Sequence, residues 1–454
     1  MENYFQQLNI GKYQEDELDI NISAFEVFKR LYPHFKDLFL LESLGEEGKY
    51  NRYSYVGAAP DRVFTALGQE LIIDGRLKAN VDPFEYLRQF PNFKSNSGGY
   101  LGGLVGYFSY EATRYFEPGF AGFNQSDFPE FCLGLYLDGF IFDKKGKKCR
   151  YFHYGRSRLS QFLKLINKTA GSLADFSYQP LRKPDKRKHR EMVRRAKEEI
   201  KKGNIFQVVL ADKSSYRIKG DFRRIYAVLR QVNPSPYMIY LKFDNREIMA
   251  ASPELLLRVK GKEIEHFGTL AGTIRRGKDG EEDRRLENRL KEDSKEQAEH
   301  LMLVDLARND IGRIAQFGTV SVGKLGSIKK FPHVQHLFTE VRGKLTKDKN
   351  AFDALAACFP AGTISGAPKI EAMKIIKKLE NEPRGPYGGV AGYFSLSGEA
   401  MLAILIRSLF IRGQLAVTET GSGIVLDSEA DREFQEIVDK QKGMEKTLKQ
   451  ASQL

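Results

Sequence analysis

The sequence predicts an α+β fold: a large, mostly antiparallel β-sandwich assembly with helices packed on the outside. Three observations lead there. Before residue 176, short apolar runs alternate with glycine turns, as in Arg52–Gly57, Glu70–Gly75 and Gly99–Tyr110. After residue 190, stretches with apolar residues at helical spacing are interleaved with strand-like runs. Near the end the chain returns to strands, at Val390–Ser395, Met401–Phe410 and Leu415–Glu419.

Residues 1–175 read as β-rich with a few helices. Residues 176–190 are rich in Lys, Arg and Pro and lack apolar periodicity, so they read as a basic linker. A second unit then spans 191–450. It starts with an amphipathic helix ending near Gly203, on which Val193, Ala196 and Ile200 share a face. Strands follow at Ile205–Leu210, Tyr237–Phe243, Ile248–Ala251 and Leu255–Val259. Helices are expected at Glu281–Asp305, Pro368–Leu379 and Glu429–Lys446. Gly102–Ser109 echoes Gly388–Ser395, which suggests equivalent strands of two related sheets.

Among 454 residues, 41% are hydrophobic and 29% charged, a globular composition that excludes wholesale disorder. Three cysteines, Cys132, Cys149 and Cys358, make no disulfide framework and have no metal-site spacing, so a reducing cytoplasm is expected. The polar start does not read as a signal peptide. The most apolar stretch, Met401–Ile411, is too short to span a bilayer and contains Arg407; no membrane partner is expected. The net charge is +13, densest between Arg182 and Lys197. Glutamates are mixed into that run and no finger or aromatic recognition motif accompanies it. It reads as a solvated basic face, with no nucleic-acid partner.

Several residues carry chemistry. Arg407 interrupts a run apolar on both faces, and a buried guanidinium needs an anion, either a structural or a substrate carboxylate. Glu296 and Glu299 lie three apart on one helix face, and Glu433 and Glu436 repeat the spacing. The pairs are either two solvated acidic faces or carboxylates converging on a hard dication such as Mg²⁺. Phe359–Lys369 puts small and hydroxyl residues ahead of a helix, and Thr420–Gly423 is a second glycine-rich turn. Neither has a P-loop ending. His336 sits among apolar neighbours, which fits a core residue as well as a catalyst.

Taken together, Gly203–Leu210, Pro234–Met238, Ala251–Glu254, Ala271–Gly277, Glu299–Asp310, Phe359–Lys369, Arg384–Gly389 and Gly421–Val425 resemble the chorismate-utilising enzyme family, from about Gly203 to Lys446. Leu40–Ser43 and Asn51–Tyr55 make residues 1–175 resemble the N-terminal region of anthranilate synthase large subunits. The resemblance implies a chorismate-binding catalytic domain over 191–450. It implies that Tyr387, Arg407 and the amides at Gly421 and Gly423 hold a substrate carboxylate, with Ala271, Gly272 and Lys440 beside them. It implies Mg²⁺ carried by Glu296, Glu299, Glu433 and Glu436, with Glu299 and Glu436 in the foremost place. Hydroxide is a poor leaving group, so an acid is needed, and Glu254 matches the family's; His336 and Thr363 match residues beside the reacting ring.

Two positions discriminate within the family. Members that add water carry a lysine base where this chain has Gln207. Many aminodeoxychorismate synthases carry a lysine where it has Ala271. Both differences point to direct amination: chorismate and ammonia to anthranilate and pyruvate, as in tryptophan biosynthesis, with aminodeoxychorismate formation as the alternative. A binding or regulatory chain without activity is disfavoured by the presence of all these residues together. No glutaminase turn is present, so a separate glutamine amidotransferase subunit is expected to supply ammonia. Glu42, Ser43, Pro236, Tyr237 and Met238 match the family's pocket for tryptophan feedback.

Overall fold

The computed structural model describes residues 4–454 except 9, 45–51, 79, 92–98, 118, 121–125, 169–171 and 332–333. Asn51 of the motif noted above lies outside them. Two large sheets dominate. The first has 12 strands and runs in space through Tyr13–Leu18, Lys148–Tyr154, Asp138–Asp143, Tyr53–Ala58, Asp37–Glu42, Tyr237–Phe243, Arg246–Ser252, Ser408–Arg412, Leu415–Ile424, Gln207–Gly220 and Phe176–Arg182, with Gly366–Ala367 paired to Gln207 and Val208. The second has 11 strands, centred on Leu255–Lys260, Glu399–Ile404, Val390–Ser395, Gly103–Phe108 and Phe131–Tyr136. A three-stranded sheet joins Ala271–Arg275, Val334–Phe338 and Ser327–Lys330.

The apolar alternation explains the layering. Phe39, Leu41, Ile239, Leu241 and Phe410 of the first sheet meet Val105, Tyr107, Ala391, Tyr393 and Ala403 of the second in one core. The opposite face of the first sheet (Leu38, Leu40, Met238, Tyr240) packs against helices Ala24–Leu31, Leu159–Ile166, Arg223–Val232 and Ala430–Ala451. Helices Ser294–Gly312 and Ala351–Cys358 cover the outer face of the second. Among the described residues no helix is long and apolar enough to cross a membrane.

Four sequence expectations are revised. Residues 176–190 hold no free linker: Phe176–Arg182 is an edge strand on Gln207–Gly220, and the helix starts at Lys186, capped by the Asp185 carboxylate. Both large sheets draw strands from either side of this segment, so the layers cross the expected boundary. The helix expected over Glu281–Asp305 is two helices, Gly280–Glu292 and Ser294–Gly312, because Asp293 leaves helical geometry and its carboxylate accepts from the Lys295 and Glu296 amides. The echoing segments are neighbours in one sheet, with Gly106 opposite Gly392. Finally, Met401–Phe410 is not one strand. Glu399–Ile404 belongs to the second sheet and Ser408–Arg412 to the first, with the break at Arg407, whose φ is 51°.

The glycine pairing is a packing requirement. A methyl group at Gly106 would sit 1.9 Å from the Cys132 carbonyl oxygen. Gly106→Ala is expected to destabilise the protein by roughly 3 kcal/mol, read from denaturant unfolding; a loss under about 0.5 kcal/mol would refute this account of the sheet.

Candidate active site

The chain crosses from the first sheet to the second at Pro253–Glu254 and back again at Leu405–Arg407. The two crossovers hold each other. The Ile404 amide donates to the Glu254 carbonyl at 3.0 Å, the Ala251 amide to the Arg407 carbonyl at 3.2 Å, and the Ser252 hydroxyl to the Ile404 carbonyl at 2.6 Å. Glu254 and Arg407 therefore sit side by side at one end of the sandwich.

The Glu254 carboxyl is buried and accepts from the Thr363 hydroxyl at 3.1 Å. Burial pushes its pKa up to about 8, against the opposing pull of Thr363, Lys329 and Arg407. Arg407 forms no ion pair with a described residue. Burial lowers its proton affinity, and the charge of Glu254 works the other way. His336 places Nδ1 2.7 Å from the Gly272 carbonyl oxygen and 3.2 Å from the Thr273 hydroxyl. A carbonyl only accepts, so Nδ1 carries the hydrogen and Nε2 keeps a lone pair. Burial drives the His336 pKa down to about 4, helped by Arg407, Lys440 and Lys329, so the ring is neutral at physiological pH.

The helix Ser294–Gly312 and the C-terminal helix Ala430–Ala451 bring the acidic pairs to the same place. Gln207 donates its amide to Glu299 at 3.0 Å, and its Oε1 is buried without a hydrogen-bond partner. Glu296, Glu299 and Glu433 all have raised proton affinities, from burial first and then from neighbouring carboxylates: Glu299 and Glu436 act on Glu296, and Glu436 acts on Glu299 and Glu433. Lys440 pairs with Glu436 at 2.6 Å and donates to the Gly421 carbonyl at 2.8 Å. The glycines leave room: a Cβ on Gly423 would lie 2.7 Å from the Gln207 amide nitrogen, one on Gly421 3.0 Å from the Tyr387 hydroxyl, and one on Gly272 2.9 Å from a Glu296 oxygen. Ala271 starts the strand that carries Gly272 and Thr273.

Contacts and charge coupling thus connect Glu254 with Thr363, Arg407 and Lys329, His336 with Arg407 and Lys440, and Gln207 with Glu299, beside Glu296, Glu436 and Lys440. One neighbour was not legible. Lys329 follows Ile328 and precedes Lys330, and looks solvated in sequence. Strand alternation sends Lys330 outward to Asp283 and Glu287 and turns Lys329 inward, 4.9 Å from the Phe338 ring centre, where it acts on Glu254. Among the four glutamates of the acidic pairs the couplings run from Glu436 to Glu296, Glu299 and Glu433 and between Glu296 and Glu299. Among the described residues, no three His, Cys, Asp or Glu side chains are grouped so as to hold a metal ion.

A second cavity of about 330 Å³ lies between the sheets, lined by Ser43, Tyr53, Tyr55, Tyr237, Tyr393 and Met401, among others. Pro236 borders it too. All five residues matched to a regulatory pocket line this cavity. Two of them also make contacts outside it: the Glu42 carboxylate pairs with Arg230 at 3.0 Å, and Met238 packs into the helical layer. The sequence reading missed the Arg258–Glu399 ion pair in the wall.

The comparisons with known proteins agree with this geometry. The family model for chorismate binding enzymes matches residues 38–446, and the chain belongs to that family. Within it, the chain is 44% identical over 457 residues to the anthranilate synthase component 1 of Methanothermobacter marburgensis, covering 99% of this chain and 98% of that one. It is 40% identical to the component 1 of Leptospira biflexa, covering 96% of each. Anthranilate synthase component I from Streptococcus pneumoniae superposes with a TM-score of 0.78 at 34% identity, over 88% of this chain and 93% of that one. The menaquinone-specific isochorismate synthase from Escherichia coli shares the fold, with a TM-score of 0.75 at 21% identity over 98% and 97% of the two chains.

The Glu254 carboxyl is expected to titrate near pH 8, followed by carbon NMR and assigned by Glu254→Gln. A midpoint below about pH 6 would show that burial does not control this group.

Proposed function

We propose that this chain converts chorismate and ammonia into anthranilate and pyruvate. The observation that carries the reading is the buried, protonated Glu254 carboxyl fixed beside the Arg407 guanidinium across the paired crossovers. Arg407, the Tyr387 hydroxyl and the amides at Gly421 and Gly423 hold a substrate carboxylate. Glu254 donates its proton to the departing ring hydroxyl, which leaves as water, while ammonia adds at C2 of the ring. His336, neutral and with Nε2 free, accepts the proton whose loss accompanies elimination of pyruvate. Thr363 holds the Glu254 carboxyl in line.

Gln207 suits ammonia rather than water. Its carboxamide is no base, but ammonia needs none. The unpartnered Oε1 accepts an N–H of the incoming nucleophile, while Nε2 stays on Glu299. Ala271 offers no amine for covalent attack on the ring, which favours anthranilate over an aminodeoxychorismate product. Glu299 and Glu436, with Glu296 and Glu433 nearby, would hold Mg²⁺, which would supply positive charge against a second substrate carboxylate. The curated relatives are named component 1, and ammonia in the cell comes from a separate glutamine amidotransferase component. Three free, buried cysteines suit a reducing cytoplasm.

The second cavity is the place for tryptophan. Its aromatic walls fit an indole, the Arg258–Glu399 pair fits an amino-acid zwitterion, and the Ser43 hydroxyl is buried without a hydrogen-bond partner. Tyr237 and Met238 pair with Ser252 and Ala251, the last residues before the Glu254 crossover, so a ligand there acts directly on the acid.

Glu254→Gln is expected to lower turnover by about a thousandfold, within the range of general acid catalysis, while chorismate affinity stays within about threefold. Equal loss of both would remove the acid role. In the wild type, kcat falls as pH rises through about 8, because the carboxyl then loses the proton it must donate. Gln207→Lys is expected to yield isochorismate detectable by mass; its complete absence argues against the assigned place of the nucleophile. Ser43→Ala is expected to weaken tryptophan inhibition by about tenfold at unchanged chorismate KM. No inhibition of the wild type by tryptophan refutes this use of the cavity.

A further inference from the structure

Lys329 brings a positive charge to the site that the steps above do not use. In the three-stranded sheet Lys329 stands directly opposite His336, and Ser327 opposite Phe338. Opposed residues of an antiparallel pair share a face, so Lys329 and the His336 ring look the same way. Lys330 and Gln335 look the other way, toward Asp283. The next strand brings this sheet to the acid: Ala271 pairs with Leu337, and the amide of Leu270, just before it, acts on the Glu254 carboxyl. The Phe338 ring stacks on Phe267 at 6.2 Å, and the Phe267 amide donates at 2.9 Å to the carbonyl of Leu256, just past Glu254.

The ammonium is held without being neutralised. Its nitrogen lies 4.9 Å from the Phe338 ring centre and 5.7 Å from that of Phe331. Ring faces attract a cation but carry no countercharge. Among the described residues the ammonium makes no hydrogen bond or ion pair. The groups around it are Glu254 and Arg407 from the two crossovers, His336 from its own sheet and Thr363 from the loop beside Glu254. Lys440 of the C-terminal helix acts with it on His336. Of these groups only Glu254 can turn negative, and its charge is the one that acts back on Lys329.

We propose that Lys329 stabilises the carboxylate that Glu254 becomes during the reaction, and so sets the strength of the acid. The proposal rests on the reading that Glu254 protonates the departing hydroxyl. In that step the Glu254 O–H bond breaks, an O–H bond forms on the ring oxygen, and the C–O bond breaks with its electron pair leaving on water. Glu254 is left negative. Before the step Lys329 stands by a neutral carboxyl and gains little. Afterwards opposite charges attract in a buried setting where screening is weak. An interaction that grows between ground state and transition state raises kcat and leaves chorismate binding alone. Burial raises the proton affinity of Glu254 and lowers that of Lys329, and the charge of each opposes the effect on the other. Lys329 touches no reacting atom; it is a positioning residue that acts through Glu254.

The test has two arms, both on the full chain. In the first, kcat and chorismate KM are followed against pH for Lys329→Met, with Lys329→Arg as the variant that keeps the charge. Lys329→Met is expected to lower the kcat plateau by about threefold to tenfold with chorismate KM within about twofold. Its falling limb is expected to move upward by about one pH unit, because a carboxyl without a cation beside it holds its proton longer. Lys329→Arg is expected to leave the limb where the wild type has it. A purely structural role lowers the plateau without moving the limb; that result, or a raised KM at unchanged kcat, overturns the proposal. In the second arm the ε-carbon NMR signal of Lys329, assigned by its loss in Lys329→Arg, is titrated in the unaltered chain. An inflection near pH 8 that vanishes in Glu254→Gln is expected, with the ammonium losing its own proton at higher pH. No such inflection, or loss of the Lys329 proton at lower pH, means that no cation answers to the acid, and the proposal fails; this arm decides the matter if Lys329→Met does not fold. A wild-type chain inert toward chorismate and ammonia refutes the functional reading instead, since the spectroscopic arm needs no turnover.

Discussion

The site depends on the hydrogen bonds between two strands changing sheets at the same place. Leaving one sheet for another exposes backbone amides and carbonyls, and a buried unpaired group costs free energy. Here the crossover at Pro253–Glu254 satisfies the one at Leu405–Arg407, through the Ile404 and Ala251 amides and the Ser252 hydroxyl. The arrangement forces Arg407 into left-handed backbone geometry, a strain of about 1–3 kcal/mol for a residue with a Cβ. In return it sets a carboxyl and a guanidinium next to one another without letting either be neutralised by a protein ion pair.

Desolvation then assigns the protonation states. The same burial keeps Glu254 protonated and His336 neutral and raises the proton affinity of Glu296, Glu299 and Glu433. A protonated carboxyl and a neutral imidazole thus coexist at one pH, each set by its surroundings more than by residue type. Glycines at 272, 421 and 423 are part of this design, because a side chain there would strike Glu296, Tyr387 or Gln207.

The inner cavity and the Glu254 crossover are linked by sheet register. Tyr237 lines the inner cavity and pairs with Ser252, and Ala403 lines it and pairs with Leu255. Both partners flank Glu254. The strand that carries Gln207 similarly connects the active site to a buried cluster around Glu419.

Much was legible in the sequence, and the reason differs from residue to residue. Apolar alternation and glycine turns announced the layered sheets, since those patterns are local. Long motifs announced the family, because they run in order along more than half of the chain, and the same motifs carried the reading of Glu254, Arg407, the paired glutamates and the glycines. What local pattern cannot carry is which strand lies beside which. That decided that Gly102–Ser109 and Gly388–Ser395 are partners in one sheet, that Met401–Phe410 divides at Arg407, and that Phe176–Arg182 is an edge strand. It also turned Lys329 inward, paired Glu42 with Arg230, and gathered Glu111, Glu380 and Glu419 from distant parts of the chain. Residue types and their spacing determined the chemistry available to this protein; long-range strand pairing and the burial it imposes decided which groups meet and in what state of charge.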